Sequence, residues 1–218
     1  MGVLLFIFFR FILGCCFFGV FWYSIYMDYL EKIFGGAPRV KLMRLFLFNE
    51  TTSFLPNEVF SRAKIEPTRA RKELNFLLKV GLIKKSTRSN GKVVWTINEK
   101  FPYLVEFQRL LLQTSLITPQ SIIKKLSKIG KLKLVVLSGL FKEQAESRLD
   151  ILIVADNAKK ASTDSIMSNI EAEVGKEIRF AVLNSTDLKY RLGVGDRLVR
   201  DVLDYPHEVV LDKLNLFR

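Results

Sequence analysis

The sequence predicts an α/β (α+β) protein built in two parts, and three observations carry that expectation. Residues 56 to 97 read as two short helices followed by two short strands. Residues 118 to 211 read as helices alternating with apolar strands, the pattern of a small α/β domain with a mixed sheet. The basic charge gathers in the first of these regions: residues 1 to 117 hold seventeen Lys and Arg against eight Asp and Glu, whereas residues 118 to 218 hold seventeen against fourteen, so an anionic partner belongs to the first half. The whole chain, 218 residues with a formal net charge of +12, is long enough for one or two buried cores.

In the first region, Pro56 to Ala63 is the first helix, Lys64 to Glu66 a tight turn, and Pro67 to Val80 the second helix. Pro67 suits the first helical position, and Gly81 the left-handed residue that ends the helix. Strands Leu82 to Thr87 and Val93 to Ile97 follow, joined at Ser89-Asn90-Gly91. Helix, turn, helix and hairpin in this order make a winged helix-turn-helix, which places its second helix in the major groove of DNA. At about 100° per residue, Ala70, Leu74, Leu77 and Leu78 fall on an expected core side and Thr68, Lys72, Asn75 and Lys79 on the outward side. Ten basic residues lie between Arg62 and Lys92 against only Glu66 and Glu73. Lysines on an exposed helix are ordinarily just solvated; their concentration on the outward face and the hairpin is what points to a phosphate backbone. The expected contact set is Arg62, Thr68, Arg69, Arg71, Lys72, Asn75, Lys79, Arg88 and Lys92, and the expected partner is double-stranded DNA.

Cys15 and Cys16 are adjacent in the apolar N-terminal stretch, so no disulfide framework or zinc ribbon can form in the rest of the chain. The single His207 precedes an apolar run and reads as a strand-edge residue. No catalytic residue, metal ligand or cofactor is expected from them.

Val3 to Met27 is apolar apart from Arg10 and long enough to cross a bilayer of about 30 Å. No basic region precedes it and no small-x-small site follows it, which disfavours a cleaved signal peptide. Two readings stay open: a membrane span over residues 3–26 giving a membrane-anchored regulator, or a natural start at Met27 giving a cytoplasmic protein, which is the expectation adopted.

The segment GGAPRVKLMRLFLFN holds a helix from Pro38 to Phe48, and a short strand, Ser53-Phe54-Leu55, precedes the helix pair. Over residues 28–98 this order resembles the winged-helix transcription regulators of bacteria, which implies a regulator of transcription. Phe101 to Thr114 reads as a connecting helix with Pro102 in its first turn and Leu104, Phe107, Leu111 and Leu112 on one face. Such a helix either joins domains or subunits, leaving a homodimer open, or caps the preceding domain. The expected division is 1–26, 27–98, 99–117 and 118–218.

Beyond Pro119 the expected elements are a helix, Ser121 to Ile129; strands Leu132 to Leu137 and Leu149 to Val154; a helix, Thr163 to Val174; a strand, Glu177 to Leu183; and a terminal helix and strand through Leu211. Ser138-Gly139 ends the first strand, and Arg148-Leu149-Asp150 opens the second. This half resembles the minimal nucleotidyltransferases. Members carry Gly-Ser, then Asp-x-Asp on the next strand, then a third carboxylate, because two metal ions must be clamped on a triphosphate. Here Arg148 breaks the pair, Glu177 is a weak third acid and Arg179 a contrary charge. At 4 Å one unit-charge interaction is worth roughly 4 kcal/mol at an effective dielectric of 20, so two metals are not expected to assemble. Ser138, Gly139 and Asp150 are expected to be a remnant nucleotide pocket, with Asp150→Asn harmless to stability. The domain then serves assembly, contact with a protein partner or sensing of a ligand such as a nucleotide. The alternative is an active metal-dependent nucleotidyltransferase with a winged-helix targeting domain. Gly193 and Gly195 mark a loop only.

Overall fold

The computed structural model describes residues 30–89, 91–114, 118–142 and 147–217. The apolar segment 1–26, with both its readings, and the hairpin-tip residue Asn90 lie outside the described residues. Among the described residues no helix is long and apolar enough to cross a membrane. Two compact units result: residues 30–59 and 65–114 form one, residues 60–64 and 118–217 the other.

The first unit is arranged around α1 (Ala37–Leu47), which is buried almost all round: Val40, Leu42, Met43, Leu45, Phe46 and Leu47 are all in the core. Then come α2 (Pro56–Ala63), whose residues 60–63 belong to the other unit, α3 (Pro67–Val80), β1 (Ile83–Thr87), β2 (Val93–Ile97) and α4 (Leu104–Gln113). Helix α1 touches α3, α4 and β2. Its Arg44 is also buried and reaches the carbonyl of Thr114 at 3.0 Å, beyond the end of α4. The expected strand at residues 53–55 is a single bridge, in which Phe54 and Trp95 exchange backbone hydrogen bonds of 2.9 and 2.8 Å.

Helix α3 starts and stops as its residues dictate. Lys64 takes a left-handed φ of 50° in the turn, and the Glu66 carboxylate accepts the Thr68 and Arg69 amide hydrogens at 2.9 Å each, capping the helix with Pro67 in its first turn. At the other end Gly81 has φ 82°, letting the Leu82 amide return to the Leu77 carbonyl. The expected core side needs one correction: Leu78 is exposed and Glu73 is buried in its stead. The two residues flank the Ala70–Leu74–Leu77 stripe on opposite sides, and α1 covers the Glu73 flank with an arginine. Helix α4 also departs from expectation. It begins at Leu104, after Pro102, because Tyr103 is its N-cap, and Leu112 is exposed while Leu111 is fully buried.

The second unit contains α5 (Pro119–Leu126), β3 (Lys131–Leu137), β4 (Ile151–Asp156), α6 (Lys160–Val174), β5 (Phe180–Leu183), α7 (Ser185–Gly193), α8 (Arg197–Asp204) and β6 (Glu208–Asp212). The sheet order is β5-β4-β3-β6, with β4 and β5 parallel and the other pairs antiparallel, so the sheet is mixed. Successive strand residues point to opposite faces. Val135, Leu137, Ile151, Ile153 and Ala155 pack with α5 and α6 on one side, while Leu134, Val136, Leu152 and Val154 pack with α7 and α8 on the other. Burial on both faces explains why these strands read as unbroken apolar runs. Helix α7 was missed by sequence reasoning, although Asn184 caps it through the Asp187 amide at 2.7 Å, a recognisable start signal.

The Glu66 cap makes stability depend on pH. The amide hydrogens of Thr68 and Arg69 hold its carboxyl below the ordinary 4.5. A lowered folded value contributes stability above the unfolded value, and that stability is lost as pH falls through the folded one. Glu66→Ala is therefore expected to lower the thermal midpoint at pH 7, with the difference from the unmodified chain shrinking at pH 3; thermal melts followed by circular dichroism check it.

Candidate nucleic-acid interface and remnant pocket

Every polar residue expected to face outward on α3 does so. Thr68, Lys72, Asn75 and Lys79 are exposed along one stripe, and Arg69 and Arg71 are exposed on its two flanks. Arg62, in the last turn of α2, is half-buried. In β1 only Ile83 is buried; Lys84, Lys85, Ser86 and Thr87 are all exposed although neighbours point to opposite faces, so β1 is the solvent-facing strand of the hairpin, while Val94 and Trp95 opposite it on β2 are buried. Register runs from Ile83 opposite Ile97 to Thr87 opposite Val93, which leaves Arg88 and Lys92 closing the tip through an Arg88 amide to Lys92 carbonyl bond of 2.9 Å. The Arg88 guanidinium also donates to the Ser53 hydroxyl, fixing the hairpin against the loop before α2.

The two acids within this basic stretch are both committed elsewhere. Glu66 is the helix cap. Glu73 points inward and takes the Arg39 Nε at 2.6 Å, its side chain 10 % exposed. The Arg39 guanidinium carbon then sits 3.6 Å from the centroid of the Phe76 ring. Arg39, Glu73 and Phe76 were not singled out from sequence; the Arg39–Glu73 pair spans two helices, so no local spacing announces it. What remains facing outward on α3 and β1 is a predominantly cationic surface, with the exposed Glu66 cap near Arg71 at its N-terminal end, able to neutralise phosphates.

In the second unit, Ser138, Gly139 and Asp150 are brought together but enclosed. The Ser138 hydroxyl lies 3.1 Å from that of Ser147, which donates to the Leu149 carbonyl at 2.7 Å. The Asp150 carboxylate, 3 % exposed, accepts four hydrogen bonds: the Leu140 amide at 2.7 Å, the Arg179 amide at 2.8 Å, and the Arg179 Nε and Nη2 at 3.1 and 2.9 Å. The hydrogen bonds that Arg179 donates to Asp150 in turn hold its guanidinium protonated more firmly than usual. Gly139 has φ 47°, and a Cβ there would stand 2.2 Å from an Asp150 carboxylate oxygen, so only glycine fits. Arg148, at the position of the first acid, pairs with Asp201 at 2.6 Å. Glu177 is absent from this set of bonds.

An open crevice of about 510 Å³ lies elsewhere, at the carboxyl ends of β4 and β5, lined by Asn157, Lys160, Asp164, Phe180, Asn184 and Asp187 among others. Helices α6 and α7 leave these parallel strands toward opposite faces of the sheet, which makes this edge a topological switch point. His207 is a strand-edge residue as expected, its Nδ1 2.9 Å from the Tyr205 carbonyl just before β6.

No protein-family model matches the chain, and no curated protein matches it. Among solved structures it is similar to ZitR of Lactococcus lactis. A single-substitution ZitR mutant is 21% identical over 40% of this chain and 62% of that one, with a TM-score of 0.31; the apo form of a double mutant is 23% identical over 51% and 81%, with a TM-score of 0.34. The chain thus spans less than two thirds of the first of these.

The bonds at Asp150 replace the expectation that Asp150→Asn is harmless. An amide keeps one acceptor and turns a donor toward the backbone amide and guanidinium hydrogens that the buried carboxylate had accepted, an orphaned buried donor costing about 1–3 kcal/mol while the half-exposed guanidinium can turn to water. Urea unfolding of Asp150→Asn is expected to show a loss of roughly 2–4 kcal/mol, and Gly139→Ala a loss larger than Gly81→Ala, where an added Cβ meets nothing.

Proposed function

We propose that the chain is a sequence-specific DNA-binding regulator of transcription, acting in the cytoplasm. Its first unit reads duplex DNA as a winged helix, and its second is an inactive nucleotidyltransferase-like module for assembly, partner contact or ligand sensing. The observation that carries the DNA reading is charge disposition: the outward side of α3 and the exposed strand β1 present Arg69, Arg71, Lys72, Lys79, Lys84 and Lys85, while Glu66 caps the helix and Glu73 is tied up in a buried ion pair. Saturation of Asp150 supports the inactive reading, since a carboxylate holding four donors has no lone pair left for a metal ion. The switch-point crevice offers room for a sensed ligand.

Gel-shift titrations of a duplex library test the first part. Arg71→Ala and Lys72→Ala are expected to weaken binding by about tenfold each, with affinity falling steeply as salt rises. Lys92→Ala should weaken all sequences alike, because a hairpin contact to phosphate positions without reading bases. Equal affinity for all these variants would overturn the assignment. For the second part, incubation with radiolabelled nucleoside triphosphates and magnesium is expected to label no nucleic acid or protein; transfer abolished by chelation would establish the enzyme instead.

A further inference from the structure

Phe76 is out of place on a surface of lysine, arginine, asparagine and threonine. The core positions of α3 are filled by Ala70, Leu74 and Leu77, all at most 2 % exposed, and Phe76 is left outside them with 41 % of its surface in water. At about 100° per residue it stands some 40° from Lys72, on the edge of the outward stripe one turn further along. It is also held: the Arg39 guanidinium stacks on the ring at 3.6 Å, and Glu73, itself 7 % exposed, holds the Arg39 Nε at 2.6 Å. Two residues from a neighbouring turn and a neighbouring helix thus fix an apolar ring that the fold's own core does not use.

We infer that Phe76 reads the C5-methyl group of a thymine in the major groove, and that Arg39 is the residue that positions it. This rests on the DNA reading above. In the major groove the methyl of thymine is the one apolar group among the donors and acceptors of the base edges, and an aromatic or aliphatic side chain is its complement. The guanidinium lies over one face of the ring, and the residue still keeps part of its surface in water. A ring fixed before binding loses little rotamer freedom on contact, so the ring can discriminate between pyrimidines although it offers no hydrogen bond.

The test selects duplexes from a randomised library with the full chain, then replaces each thymine of the selected site by deoxyuridine, which removes only the methyl. One thymine is expected at which deoxyuridine weakens binding by the unmodified protein about fivefold or more, while Phe76→Ala binds both duplexes equally at the weaker level. Arg39→Ala should shrink the thymine-to-uridine ratio with the ring still present, and Arg39→Lys should restore part of it. A selected site whose every thymine tolerates deoxyuridine overturns the inference without help from any variant, and so does a Phe76→Ala protein that keeps the full discrimination. Failure to retain any duplex overturns the DNA reading itself and this inference with it.

Discussion

A carboxylate taken out of water must be given donors to replace the ones it lost, and the second unit is built on one such obligation. Asp150 sits where the end of β3, the start of β4 and the approach to β5 meet, and its four hydrogen bonds draw on all three. Removing donors from so buried a carboxylate leaves it uncompensated, which is why these bonds tie the strand ends together although the Arg179 side chain is half exposed. The same saturation turns a position that resembles a metal ligand into a structural tie. Arg179, the contrary charge in sequence, is the partner that makes it so.

Glu73 repeats the theme in the first unit with a different consequence. Buried on the flank of α3, it takes Arg39 from α1, and through that guanidinium it fixes Phe76. One acid turned inward leaves the outward side of the helix cationic, so the pair that seats α3 against α1 also sets the sign of the surface field. Structure and electrostatics here have a single cause.

The two sheets divide the labour by exposure. In the four-stranded sheet both faces are covered by helices, and the alternate residues of β3 and β4 fill two separate cores. In the hairpin, residues of β1 beyond Ile83 are exposed on both faces while Val94, Trp95 and Ile97 of β2 are buried, so β2 joins the core and β1 is available to touch something else. Trp95, bridged to Phe54, anchors the middle of the hairpin, and Arg88 its tip.

By itself the sequence determined the order and kind of most elements, because helix caps, Pro67, Gly81 and unbroken apolar runs are local signals whose physics acts within a few residues. It determined the outward stripe of α3 as well, since a fixed rotation per residue needs only one face to be apolar. The exchange of Leu78 for Glu73 at the edge of that face, the burial of Arg44, the capture of Asp150 by Arg179 and the stacking of Arg39 on Phe76 were decided by tertiary structure alone. Each depends on a partner 29 to 70 residues away, and whether a charge may be buried is settled by what the fold brings beside it.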